Sequence, residues 1–138
     1  MKRKLMKVFS VIIATSIAII GFGLMPVQKA EAATACDTTS GSFSICGSNA
    51  GSNVNASITI TDPTYGRDYW TMYLQRYENG KWNTIGTRTG YIEWGSNSYR
   101  TFTNVAYKNA KTRINVKFYG DAAHTQFEFA VPTTSWIR

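Results

Sequence analysis

The sequence predicts an all-β protein, an antiparallel β-sandwich that follows a cleaved signal peptide. Three observations predict it. Beyond residue 53, apolar and polar residues alternate with period two in short runs separated by turn-forming residues. The pair Asn79-Gly80 stands between two such runs and specifies a tight hairpin. No stretch after residue 32 shows the 3.6-residue apolar period of a helix.

The leader comes first. Lys2, Arg3, Lys4 and Lys7 precede an uncharged, mostly apolar run over 8–27, and Ala30-Glu31-Ala32 supplies a small-x-small cleavage pattern. That order is the n-, h- and c-region of a secretory signal of the Gram-positive type. The apolar run is long enough to span a membrane, so an uncleaved anchor is the competing reading. Pro26 and the cleavage pattern favour removal. A lipid-modified Cys36 fits less well, because position 33 is Ala and charged Lys29 and Glu31 separate the cysteine from the apolar run.

Cleavage after Ala32 leaves residues 33–138, one domain's length. The whole chain carries a formal +7, but five of its basic residues and one acidic residue lie in the leader, which leaves +3. A charge of +3 does not call for nucleic acid or an anionic membrane. Cys36 and Cys46 both follow the leader. An even count in an exported small domain predicts a disulfide, worth about 2–3 kcal/mol for so short a loop. Residues 33–53 are rich in Ser, Gly, Asn and Thr and read as an irregular, disulfide-closed N-terminal arm anchored by Phe43 and Ile45.

The sandwich is expected over 54–138. Val54, Ala56, Ile58 and Ile60 alternate with polar residues. Trp70, Met72 and Leu74 alternate with Tyr69, Tyr73 and Tyr77. Residues 81–88 and 98–105 are Thr-rich strands. Ile114, Val116 and Phe118 alternate with Arg113, Asn115 and Lys117, and Phe127, Phe129 and Val131 form the last strand. A two-residue turn at Asn79-Gly80 sets the register: Glu78 faces Lys81, Tyr77 faces Trp82, Leu74 faces Ile85 and Met72 faces Thr87. The aliphatic face, Ile85 included, packs on Ile58, Ile60, Ile114, Val116, Phe118, Phe127 and Phe129 to make a two-sheet core.

The segment TMYLQRYENGKWNTIGT, residues 71–87, resembles the central hairpin of immunoglobulin-like (Ig/fibronectin-III) domains of secreted bacterial proteins. The resemblance spans about 54–131 and implies an Ig-like antiparallel β-sandwich. It carries no functional residues with it.

The residues argue against catalysis. His124 is the sole histidine, and no nucleophile-elbow sequence accompanies it. The acids Asp37, Asp62, Asp68 and Asp121 fall in expected loops, Glu78 pairs with Lys81, and Glu93 and Glu128 remain; a small sandwich has little room to set two across a cleft. Asp62, Asp68 and Asp121 converge as calcium ligands if their loops share one end, but Asp-Pro and Gly-Asp read more simply as turn chemistry. No cofactor and no metal is called for, and the chain reads as no enzyme.

The aromatic content is the unusual feature. All four Trp and all eight Tyr lie beyond the leader. Tyr69, Tyr73, Tyr77 and Trp82 form an expected strip opposite the core, suited to stacking on sugar rings, to a membrane interface or to a protein partner. Alternatively they are good strand formers covered by the arm or by Trp136. Tyr91, Trp94 and Tyr99 extend the strip. Tyr65, Gly66, Arg67, Asp121 and His124 form a second, loop-borne candidate, and Lys108 and Lys111 a small basic spot too short for a nucleic-acid track. The expected function is a secreted, non-catalytic binding module for a cell-wall glycan or protein. Its rivals are an antimicrobial or toxin-like protein acting on membranes, and a protease inhibitor with loop 62–68 or 94–98 as bait.

Overall fold

The computed structural model describes residues 33–37, 41–64 and 66–138; the expected signal peptide (1–32) and Tyr65 lie outside the described residues. Nine strands run among them: β1 (Thr34–Asp37), β2 (Phe43–Ala50), β3 (Asn53–Ile60), β4 (Asp68–Glu78), β5 (Lys81–Ile92), β6 (Asn97–Phe102), β7 (Lys111–Tyr119), β8 (Phe127–Pro132) and β9 (Trp136–Ile137). They form two antiparallel sheets, one ordered β1-β2-β3-β6 and one ordered β5-β4-β7-β8, with β9 added to the start of β7. The described residues therefore form an all-β, two-sheet sandwich.

The described residues of 33–53 are not the irregular arm expected from their composition. They form β1, β2 and the turn into β3, and β2 pairs along its whole length with β3. Phe43, Ile45, Gly47 and Asn49 point inward, and two of those four positions are not apolar, which hid the alternation. The C-terminal residues complete them. A Cβ at Gly47 would stand 2.6 Å from Trp136 Cη2, so glycine makes room for that ring. Trp136 Nε1 and Arg138 Nη1 both donate to the buried Asn49 Oδ1, each at 3.0 Å. Trp136 is thus part of the core and does not cover the outer rings.

Cys36 and Cys46 face each other across β1 and β2 and are joined by a disulfide on the outer face. Such a bond forms and persists in an oxidising environment.

The hairpin between β4 and β5 turns where expected. Asn79 and Gly80 have φ of 55° and 77°, and Glu78 pairs with Lys81 and Tyr77 with Trp82. Farther on the expected register fails. A bulge pairs Gln75 with Thr84 and Leu74 with Gly86, so Ile85 is the extra residue and Met72 faces Arg88. Ile85 is 40% exposed and does not belong to the core. The inner face of β5 then reads Gly86, Arg88, Gly90. A Cβ at Gly86 would lie 2.7 Å from the Phe102 ring, and one at Gly90 2.4 Å from the Trp70 ring. The rings of neighbouring strands fill the space that side chains on β5 would take. Arg88 stacks over Phe102 at 4.8 Å and Arg100 over Trp70 at 4.9 Å, closing the side of the sandwich between β5 and β6.

A second bulge lies between β7 and β8. Phe118 faces Phe129, but Tyr119 faces Phe127, leaving Glu128 as the extra residue. Phe127, expected in the core, is turned outward and is 56% exposed. Phe129 stays inside, stacked on Phe118 at 4.8 Å. Val54, Ile58, Trp70, Met72, Leu74, Ile114, Val116 and Phe118 are fully buried between the sheets. Each side chain of this size contributes about 1.5–3 kcal/mol on burial.

Candidate functional site

The side chains that point away from the core on the five-stranded sheet can be read from its register. Across β5, β4, β7 and β8 the rows are Thr84, Gln75, Arg113; then Thr87, Tyr73, Asn115, Pro132; then Thr89, Thr71, Lys117, Ala130; then Tyr91, Tyr69, Tyr119, Phe127. Four rings stand abreast in the last row, beside Arg67 and the loops at 93–96 and 120–126. Tyr69 and Tyr91 lie 6.4 Å apart between centroids, and Tyr119 and Phe127 6.0 Å apart.

The loops finish this end. Arg67 stacks over Tyr91 at 5.0 Å and forms a salt bridge with Glu93. His124, in a left-handed conformation, stacks on Tyr119 at 4.9 Å and shares a 2.7 Å hydrogen bond between its Nδ1 and Thr71 Oγ1. Tyr119 is buried beneath it. Tyr91 and Trp94 remain 57% and 58% exposed. Trp94 sits in the turn that joins β5 to β6.

The expected strip of Tyr69, Tyr73, Tyr77 and Trp82 shares one face, as its alternation requires, but the structure divides it. Tyr69 and Tyr77 are separated by about 26 Å of strand. Tyr69 belongs to the ring row with Arg67. Tyr77 packs edge-on against Trp82 at 5.3 Å near the hairpin tip. Arg113 covers Trp82 at 4.1 Å and is fixed by donating from Nε to Gln75 Oε1 at 2.9 Å. Tyr73 lies between the two groups, its phenol near the Tyr119 phenol and the Thr71 hydroxyl, with the Lys117 ammonium 5.6 Å from its ring centroid. Burial and the neighbouring Tyr119 phenol push the Tyr73 phenol above its ordinary value. Tyr99 does not extend the face, because β6 belongs to the other sheet.

Asp62 and Asp121 serve their own loops. Asp62 Oδ1 accepts from Thr64 N and Oγ1 at 2.9 and 2.7 Å. Asp121 accepts from Thr125 N and Oγ1 and from Gln126 N, at 2.7–2.8 Å. These hydrogen bonds hold both carboxyls below their ordinary values. Asp68 is instead buried at the start of β4, and burial, with the Glu128 charge nearby, pushes its carboxyl up to about 6. Among the described residues no three His, Cys, Asp or Glu side chains group as a metal site.

Sequence reasoning passed over Tyr119, Lys117 and Arg113 as members of this face, although the alternation along β7 announces them. Phe127 was hidden by the bulge at Glu128, which nothing in the local sequence marks. Comparisons of the chain with protein-family models, with curated proteins and with solved structures find no match.

Proposed function

We propose that this protein is a secreted, non-catalytic binding module that recognises a cell-wall glycan through the outer face of its five-stranded sheet. One observation carries the reading: the ring row at the loop end, with Tyr91, Phe127 and the neighbouring Trp94 more than half exposed. Burying large rings is favourable, and a fold that leaves Tyr91 and Phe127 in water at the two ends of one ring row, with Trp94 exposed in the turn after β5, leaves an interaction surface. Sugar rings present flat C–H faces that pack on aromatic faces. Their hydroxyls fit the hydroxyls and amide that stand beside the rings, Thr87, Thr89 and Asn115, and the cations Arg67 and Lys117. The recognition needs no cofactor. The sheet order, with β3 beside β6 and β5-β4-β7-β8 opposite, supports the finer reading of the fold as Ig-like.

Co-sedimentation with insoluble peptidoglycan tests the proposal. The parent protein pellets with the wall material, the Tyr91→Ser/Trp94→Ser variant stays in solution, and Tyr99→Ser on the opposite face pellets like the parent. Equal pelleting of all three would refute the assignment of the face.

A membrane-acting protein is the second reading, favoured by the same exposed rings at one tip of a chain with net positive charge. It predicts dye release from anionic vesicles, and the glycan reading predicts none. The inhibitor reading has less support. The 93–96 connection is folded on itself, with Ser96 N donating to Glu93 O at 3.1 Å and Ser96 Oγ bonding Glu93 N and O at 3.1 and 2.6 Å. A protease bait loop is extended.

A further inference from the structure

A cavity of about 280 Å³ opens on the side of the sandwich, away from the ring row, between β5 and the 103–106 segment that follows β6. Ile85, Phe102 and Val105 form its apolar walls, and Arg76 and Arg88 bring charge to it. The bulge sets Ile85 out of the core at the cavity's wall, and the Phe102 ring lies close against Gly86 beside it.

Arg76 is the unusual group. It lies on the inner face of β4 and is only 5% exposed. Its Nη2 donates to Ala106 O, its nearest carboxylate is Glu78 at 3.9 Å, and its Nε finds no hydrogen-bond partner among the described residues. A second buried guanidinium, Arg138, stands close enough that Arg76 adds to the effect of burial in holding it below its ordinary value. Two guanidinium groups therefore lie close together here; oxygens of Asn49, Gly51 and Val105 meet that of Arg138, while Arg76 has one half-exposed carboxylate and one carbonyl. A buried guanidinium with a free donor is costly unless an anion completes it.

The walls are already in place. Val105 N donates to Ser52 O at 2.8 Å, and Val105 O accepts from Arg138 Nη2 at 2.6 Å. Asn104, at the rim, holds a left-handed conformation and donates its N–H to Asn53 Oδ1 at 3.2 Å. Arg88 is pinned by Nη1 on Thr87 O at 2.8 Å and Nη2 on Thr101 O at 3.0 Å.

The geometry points to a binding site for the free C-terminal carboxylate of a short peptide, with the carboxylate toward Arg76 and Arg88 and a small aliphatic side chain against Ile85, Phe102 and Val105. The unpartnered Nε–H of Arg76 and the second N–H of each Arg88 Nη offer a carboxylate charge-assisted donors, and the side chains of Ile85, Phe102 and Val105 suit a neighbouring methyl or branched group better than a bare inorganic anion. The inference does not depend on the glycan reading, because the cavity lies on a different part of the molecule.

The probe is N-acetyl-alanyl-alanine, titrated into the protein and followed by amide NMR shifts. Shifts centred on residues 85–88 and 102–106 are expected, with the C-terminal amide of the same peptide and inorganic phosphate each binding about tenfold more weakly or worse. Ile85→Trp fills the mouth from an exposed position and abolishes the shifts while the fold is kept; Arg88→Gln weakens binding about tenfold. Equal binding of the acid and the amide, equal binding of phosphate, shifts elsewhere, or no binding by a folded parent protein would each overturn the inference.

Discussion

The two outer faces of the sandwich carry opposite chemistry on the same scaffold. The face of the β1-β2-β3-β6 sheet presents Ser44, Ser48, Asn55, Ser57, Thr59 and Thr101 around the disulfide, with Tyr99 as its large side chain. The face of the other sheet presents rings and cations: Tyr69, Tyr73, Tyr77, Trp82, Tyr91, Arg113, Lys117, Tyr119 and Phe127. Both rest on one core, and strand alternation leaves each outward position free to choose its side chain. The small-residue face shows what stability and solubility require. The ring face exceeds that requirement, and the excess is concentrated at the loop end. Under the proposed function, the exposed rings at the loop end answer to a partner, whereas Tyr119 and Trp82 also pack within the fold.

A core change must erase both faces together. Trp136→Ala removes the ring that fills the space above Gly47 and one of the two donors to Asn49 Oδ1, and is expected to cost about 3–5 kcal/mol in chemical denaturation. Loss of one face with the other intact would mean that the sheets are not held by a common core. The disulfide belongs to the small-residue face. The Cys36→Ser/Cys46→Ser variant should lose about 2–3 kcal/mol while binding wall material as the parent does once folded. If glycan binding fell with the disulfide, the two faces would not be separable.

Titration sharpens the comparison at the loop end. The folded-state value of Asp68, about 6, lies above the ordinary 3.8. The folded protein therefore holds the proton that the unfolded chain releases between those values, and stability falls as the pH rises from about 4 through 6. Asp62 and Asp121 act in reverse, since their lowered values give stability that is present above the ordinary 3.8 and lost as the pH falls through their folded values. Urea midpoints should pass through a maximum near about pH 4–5, and Asp68→Asn should flatten the decline above it without altering the acid limb. A decline unchanged in Asp68→Asn would remove Asp68 from the account.

The smallest effects belong to the rings themselves. Tyr91→Ser and Trp94→Ser should each change stability by no more than about 0.5 kcal/mol. Trp82→Ala loses the Arg113 stack and should cost about 0.5–1 kcal/mol with little effect on binding at the loop end. Glycan binding that depended on Trp82 and not on Tyr91 would move the site to the hairpin tip.

Much of this was legible. The Asn79-Gly80 turn placed Tyr77 opposite Trp82, and alternation put Trp70, Met72, Leu74, Ile114, Val116 and Phe118 inside. What was not legible has physical reasons. The inner side of β2 uses Gly47 and Asn49, whose fitness depends on Trp136 and Arg138 nearly ninety residues away. The bulges at Ile85 and Glu128 each shift alternation by one residue, and that shift carried Ile85 and Phe127 from the expected core to the surface. The face of the candidate site could be read from alternation, but its division into a loop-end row and a hairpin-tip pair required the positions of Lys117, Arg113 and His124.

The most direct measurement is iodide quenching of tryptophan fluorescence with and without peptidoglycan. Trp70 and Trp136 are buried and Trp82 lies under Arg113, so quenching should report mainly on Trp94 and should vanish in Trp94→Phe. Peptidoglycan bound at the loop end should protect this tryptophan from iodide. Wall material that binds the protein yet leaves Trp94 as quenchable as before would contradict that placement.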